Sequence, residues 1–251
     1  MKWIHQCDLN WMKARQKCLT ATDVKDLLPV TKTGRKRTID DESYIKVMAR
    51  KLVNLTEESC ISVGVAARGH ILEPYAIELF NESFDFVQLN HWDDLMVTKL
   101  EHEPFGLSFS PDAMDTEMRD DANPKVIGEV KSYSAEKHMA CGYTNKMDLE
   151  ERWQLATAMA VRDSIEEAYL LFFNPSMRNQ LYVFDYDRTD LADEIEVVKK
   201  VEEDWLAWVA SLGKIDHGLL VSGDQNQEQV IIEQIIKAEE LNPDNKKSII
   251  L

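Results

Sequence analysis

Glu129 and Lys131 stand two residues apart in the run Val126-Ile127-Gly128-Glu129-Val130-Lys131. β-Branched residues around a polar pair mark a strand. Side chains alternate across a strand, so Glu129 and Lys131 share one face and Val130 points to the other. A carboxylate and an ammonium then project together from a segment otherwise made for burial. Upstream, Ser110-Pro111-Asp112 lies near the end of a second strand-like run over 107–113. If the two runs pair, Asp112 comes alongside Glu129. Two carboxylates beside a lysine can hold Mg²⁺, which prefers oxygen ligands and keeps several waters. Such a cation lowers the pKa of a bound water and polarises a phosphate. Lys131 would orient the attacking hydroxide or neutralise the phosphorus. The pattern is short, and a cross-strand salt bridge explains a Glu–Lys pair equally well.

The elements that must position these residues follow from periodicity and punctuation. A helical region runs from Asp8 to Leu28, with Thr22-Asp23 as a cap for its second part and Pro29 as its end. A polar loop, 30–41, carries Gly34-Arg35-Lys36-Arg37, a basic cluster that reads either as a grip on a DNA backbone or as an exposed loop without function. Helices are expected over 42–55 and through most of 60–82. Pro74 must sit in a first turn or cause a kink. The period then changes. Strands are expected over 84–89, 107–113 and 126–131, with 115–125 as the turn between the last two. A helix over 149–164 and a hairpin of 168–173 with 180–186 come next. An acidic amphipathic helix over 191–212 carries Trp205 and Trp208, which read as core or interface. A shorter helix over 227–241 follows. Helices first, then strands, a helix, strands and terminal helices make a mixed α/β domain with a central sheet.

The 251 residues fit one large domain, and six Trp with 44% hydrophobic residues supply a core. No apolar run approaches the roughly 20 residues of a membrane helix. Met1-Lys2-Trp3-Ile4-His5-Gln6 turns polar too early for a signal peptide, so a reducing cytosol is the expected location. Cys7, Cys18, Cys60 and Cys141 have no zinc spacing and read as free thiols. The six histidines form no close ligand cluster in sequence. A net charge of −16 looks wrong for a protein that meets phosphates. Its distribution is uneven, however: through Lys51, twelve basic residues stand against six acidic ones. A local phosphate-binding face on an acidic body is compatible with that asymmetry.

Five short elements, in order, bear a resemblance. Trp11, Arg15 and Thr20-Ala21-Thr22 resemble the N-terminal "W…R…TAS" signature of phage-type alkaline exonucleases, the lambda exonuclease and YqaJ-like recombinase family. Arg68-Gly69 and Leu72-Glu73-Pro74 with Ala76 resemble its "RG…LEP.A". Ser110-Pro111-Asp112 resembles SPDG, Gly128-Glu129-Val130-Lys131 its E-[LIV]-K strand, and Trp153-Gln154-Leu155 its glutamine motif. The chain departs from the pattern at Ala113 (usually Gly), Ser132 (often Cys), Ala158 (often aromatic) and Thr22 (usually Ser). None of these removes an acid or the lysine.

The resemblance implies a restriction-endonuclease-like core of mixed sheet and flanking helices, with C-terminal helices beyond it. It implies one nuclease domain, with 1–60 as a helical DNA-end-binding part, 61–187 as the catalytic core and 188–251 as a C-terminal layer. Asp112, Glu129 and the Val130 carbonyl would hold Mg²⁺, with Mn²⁺ as an alternative. Glu73 would join them directly or through water, Lys131 would act on the nucleophile, and Gln154 would position metal or lysine. Arg15 and Thr22 would bind a terminal 5′-phosphate, and Arg35, Lys36 and Arg37 would lie along the DNA. Simpler roles stand beside these: a surface arginine at 15, a helix cap at 22, a helix start at 73, a solvated glutamine at 154. The implied activity digests the 5′-ended strand of linear duplex DNA, in a homo-oligomeric ring, alongside a single-strand annealing protein, in a bacterial cytoplasm from a phage or prophage gene. Rival readings are a restriction or repair endonuclease of the same fold, and a non-catalytic acidic DNA mimic.

Overall fold

The computed structural model describes residues 9–31, 34–53, 65–92, 96–97, 106–115, 123–145 and 149–211. The helix expected over 227–241, most of the 115–125 turn, and Cys7 and Cys60 lie outside them.

The N-terminal helical region breaks into two helices, as its internal cap implied, but the second starts earlier than expected. α1 (Leu9–Gln16) is followed by a two-residue strand, β1 (Leu19–Thr20), and then by α2 (Ala21–Leu27). The cap of α2 is Thr20, not Thr22. Its hydroxyl accepts from the Asp23 N–H, while the Asp23 carboxylate accepts from the Thr20 N–H at 2.9 Å. This reciprocal box satisfies two backbone donors at the helix start. Leu28 turns extended before Pro29 and ends α2, as the residue before a proline resists helical geometry. α3 (Asp41–Lys51) starts on an Asp40 cap. α4 (Val65–Ser83) carries Pro74 in its interior rather than in a first turn.

Two strand expectations change. The run 84–89 is not a strand. The Asn81 side chain donates to the Leu89 carbonyl at 2.7 Å and accepts from its N–H at 2.9 Å, taking the place of a strand partner. The pairing starts only at β2 (Asn90–His91). The run 107–113 divides into β4 (Leu107–Phe109) and β5 (Ala113–Met114), which belong to different sheets. Pro111, with no donor for a ladder, marks the break. β3 (Met96–Val97) was not foreseen and pairs with β4; β1 lies parallel on the other side of β4.

The remaining elements are β6 (Val126–Lys131), α5 (Ala135–Thr144), α6 (Leu149–Val161), β7 (Glu167–Phe173), β8 (Leu181–Asp187) and α7 (Ala192–Ser211). Among the described residues the larger sheet has the order β2-β5-β6-β7-β8. β6 and β7 run parallel, and α5 and α6 lie between them in sequence as the crossover; the other neighbours are antiparallel. α5 escaped the sequence reading because only His138 and Cys141 of it are buried. It lies so close to β8 that a Cβ on Gly142 would come within 2.0 Å of the Tyr182 ring.

β7 is buried on both faces and divides the core. Ala168, Leu170 and Phe172 pack with Leu155, Met159 and Trp205 on the α6–α7 side. Tyr169, Leu171 and Phe173 pack with Ala76, Ile77 and Phe80 of α4 on the other. Trp205 is fully buried, and Trp208 stacks on Tyr44 of α3 at 5.2 Å, so both serve packing. Cys18 and Cys141 are buried thiols, as expected. Burial pushes the Cys18 thiol up to about 12, which leaves it unreactive. No described helix is long and apolar enough to cross a membrane.

Candidate active site

β5 and β6 pair antiparallel, with Ala113 opposite Gly128. That register sets Asp112 beside Glu129. The Asp112 N–H donates to the Gly128 carbonyl at 3.2 Å, and the Asp112 carboxylate accepts the Val130 N–H at 2.7 Å. Gly128 makes the approach possible. A Cβ there would lie 3.0 Å from the Leu89 side chain and 3.2 Å from the Ala113 Cβ.

Val130 faces the α4 side of the sheet, in the cluster with Phe80 and Tyr169. Glu129 and Lys131 therefore face α6. Lys131 Nζ donates to Glu129 Oε1, and Gln154 Nε2 of α6 donates to the same oxygen. The second oxygen, Glu129 Oε2, is buried and accepts nothing among the described residues. An unpaired buried carboxylate oxygen is costly unless something else completes it.

Glu73 comes from α4. It is buried, with His70 Nδ1 at 3.3 Å from one oxygen and His91 Nε2 at 3.6 Å from the other. Glu129, Lys131 and Gln154 are thus joined by direct hydrogen bonds, Asp112 is held beside them by the β6 backbone, and Glu73 acts on Asp112 and Glu129 through its charge. Among the described residues no three His, Cys, Asp or Glu side chains close up into a cluster able to hold a metal.

Burial, then the carboxylates of Glu129 and Glu73, push Asp112 well above the usual carboxylate range. Burial also raises Glu129, against the pull of Lys131 and Gln154. Burial works against the Lys131 ammonium, but Glu129 and Asp112 outweigh it and hold its pKa up. Glu73 ends below its ordinary value: burial pushes it up, and His91 and His70 more than offset that. Two crowded carboxylates that resist sharing negative charge, with one oxygen unpartnered, fit a hard divalent cation. Asp112 and Glu129 are the carboxylates that could hold one.

The expected DNA-binding residues lie elsewhere. Arg15 is half-buried on α1, and its carbonyl accepts from Lys51 Nζ at 3.1 Å. Thr22 is exposed on α2 and lines a groove of about 420 Å³ with Lys25, Arg37, Glu150 and Trp153. Trp153 neighbours Gln154, so α6 serves both the groove and the carboxylate cluster. Arg35 and Lys36 are exposed. Arg37 instead donates to the Leu28 and Lys25 carbonyls, each at 2.6 Å, capping the end of α2. Other basic residues of this region are also engaged internally: Lys25 with Glu150, Lys46 with Asp26, Arg50 with Asp23 and Asp26, and Lys51 with Asp23.

The sequence reading passed over four residues at or beside the cluster. His70 lies one helical turn before Glu73, and Glu151 one turn before Gln154, spacings that put each on the face of its partner. Tyr133 lies two residues past Lys131. His91 carried no local signal and reaches Glu73 only through the β2–β5 pairing.

No protein-family model and no curated protein sequence matches the chain. Solved structures do. The crystal structure of LHK-Exo in complex with dAMP superposes with a TM-score of 0.60 at 18% identity, covering 93% of this chain and 100% of that one. The crystal structure of an alkaline exonuclease, LHK-Exo from Laribacter hongkongensis, superposes with a TM-score of 0.55 at 16% identity, covering 81% and 97%. Over most of its length, the chain therefore has the fold of an alkaline exonuclease.

Proposed function

We propose that this chain is a Mg²⁺-dependent nuclease that digests the 5′-ended strand of linear double-stranded DNA. The observation that carries the reading is the Asp112–Glu129–Lys131 cluster with Glu129 Oε2 buried and unpartnered. The fold shared with LHK-Exo, a protein crystallised with dAMP, supports it.

Asp112, Glu129 and the Val130 carbonyl would hold the cation, with Glu73 reaching it through water. When bound, the cation would lower the pKa of a water and draw charge from the scissile phosphate. Val130 fixes the Asp112 carboxylate through its N–H, and Gln154 fixes Glu129, so little reorganisation is left for the reacting complex. Lys131, buried and cationic, orients the nucleophile and offsets charge building on the phosphate. Arg15 and the Thr22 groove would receive the terminal 5′-phosphate, and Arg35 and Lys36 the backbone. The 5′ polarity, an encircling homo-oligomer, an annealing-protein partner and a bacterial cytoplasmic setting with a phage or prophage gene belong to the proposal through the sequence resemblance.

The test uses 5′-phosphorylated linear duplex beside a covalently closed circle of the same DNA. With Mg²⁺ the linear DNA should be shortened to mononucleotides from its 5′ ends, leaving 3′ single strands, while the circle persists. EDTA should stop the reaction and excess Mg²⁺ restore it. Cuts in the closed circle would make the site an endonuclease, and no digestion of either DNA would remove the nuclease reading.

A further inference from the structure

The face of β6 that carries Glu129 and Lys131 continues to Tyr133. α6 grips this row at two points. Gln154 holds Glu129, and one turn earlier Glu151 accepts the Tyr133 hydroxyl. Lys131 lies between the two gripped residues and so faces the stretch of α6 between Glu151 and Gln154.

Glu151 is unusual for a first-turn helix residue. It is only 5% exposed. Tyr133 occupies Oε1, and Lys137 Nζ stands 3.8 Å from that oxygen while lying 3.6 Å over the Tyr133 ring. Glu151 Oε2 is buried and accepts nothing among the described residues. Among the described residues the cluster thus holds two unpartnered carboxylate oxygens, one on Glu129 and one on Glu151, and the Lys131 ammonium is bonded to the first residue and within the field of the second. The Glu151 charge is one of those that sustain that ammonium.

We propose that Glu151 is a positioning residue for Lys131, an alternative seat to which the ammonium moves when Glu129 is needed elsewhere. The inference rests on the nuclease reading above. In the structure Lys131 is bonded to Glu129 Oε1, so a cation held by Asp112 and the open Glu129 Oε2 would stand beside its ammonium. Two positive charges a few ångströms apart repel strongly in a buried site, so the lysine has to yield. An ammonium leaving one buried carboxylate needs another acceptor or pays full desolvation. Glu151 Oε2 is that acceptor on the same face, and the transfer keeps Lys131 beside the reacting phosphate. No proton or bond changes hands; only the ammonium's partner does.

The experiment measures Mn²⁺ binding to the free protein by electron paramagnetic resonance, beside digestion of linear duplex. Glu151→Gln keeps the shape and the Tyr133 contact but offers Lys131 an amide. It should weaken Mn²⁺ binding and lower kcat, each about tenfold or more, as loss of a ligand-orienting partner does. Glu151→Asp should recover part of both. In a Lys131→Met background the same Glu151→Gln change should leave Mn²⁺ affinity unaltered, because no lysine remains to compete. Wild-type Mn²⁺ affinity in Glu151→Gln, or an equal loss with and without Lys131, would overturn the proposal while the nuclease site stands. Thermal unfolding separates both results from misfolding. Asp112→Asn should abolish Mn²⁺ binding in every background; a wild-type chain that binds no Mn²⁺ would sink the nuclease reading and this inference together.

Discussion

Glu129→Ala and Lys131→Ala should each lower digestion of linear duplex DNA by about 10³-fold or more. The reasons differ. Glu129→Ala removes a candidate ligand and strands Lys131, whose ammonium has Glu129 as its hydrogen-bonded partner in the structure. Lys131→Ala leaves Asp112 and Glu129 facing each other with no cation of the protein's own. It should still bind Mn²⁺, and no less tightly than wild type, while failing to turn over. Acid-soluble nucleotide release measures the first effect, and metal titration separates the two variants. Glu129→Gln keeps the contact with Gln154 and guards against an effect of unfolding. If all three variants digest DNA like the wild type, the reaction does not take place at this cluster.

The second large effect is on stability. Lys51 and Asp23 form an ion pair with both side chains almost fully buried. It joins α3 to the Thr20 capping box of α2 and, through the Arg15 carbonyl, to α1. Lys51→Met removes the ammonium and leaves a buried carboxylate. Breaking a buried pair from one side costs about 3–5 kcal/mol. The lower end applies, because Arg50 Nη2 remains 3.1 Å from Asp23 and Thr20 still donates to it. At about 2–4 °C per kcal/mol for a chain of this size, Tm should fall by about 6–12 °C. Burial pushes Asp23 up, but Lys51 and Thr20 hold it below 3.8 in the wild type. Its contribution is therefore complete above pH 3.8 and is lost as pH falls through the lowered folded-state value. In Lys51→Met the carboxylate gains by protonation instead. The gap in Tm between the two proteins should be widest near neutrality and close in acid. A gap independent of pH would mean the pair is not the source of the loss.

How far the sequence led depended on how local the determining interaction was. β6 was legible residue for residue because alternation and β-branching act within six residues, and the same alternation placed Glu129 and Lys131 on one face. β7, β8 and α7 were legible for similar reasons. The run 84–89 has the composition of a strand, but the Asn81 amide takes up the backbone of Leu89, and no pattern in 84–89 signals that. β1 is two residues long and exists only because β4 lies beside it. The meeting of Asp112 with Glu129 was conditional on pairing, and Pro111, by breaking the expected strand, turns Asp112 toward the Val130 N–H. The spacing of Glu151 from Gln154 puts both on one face of α6, but what Glu151 and Tyr133 do there depends on the packing of α6 on β6, which no spacing shows.

The internal engagement of Lys25, Arg37, Lys46, Arg50 and Lys51 has a thermodynamic signature. Each phosphate neutralised by a protein cation releases condensed counterions and adds roughly 0.9 to the slope of log affinity against log salt. A surplus of six in the first fifth of the chain would give a slope of about −5 if all of it met DNA. With those five cations held against the protein's own acids and carbonyls, the three assigned above to phosphates, Arg15, Arg35 and Lys36, give an expected slope of about −3 in a salt titration of duplex binding. Affinity for duplex would then fall less steeply with added salt than if the whole surplus met phosphates.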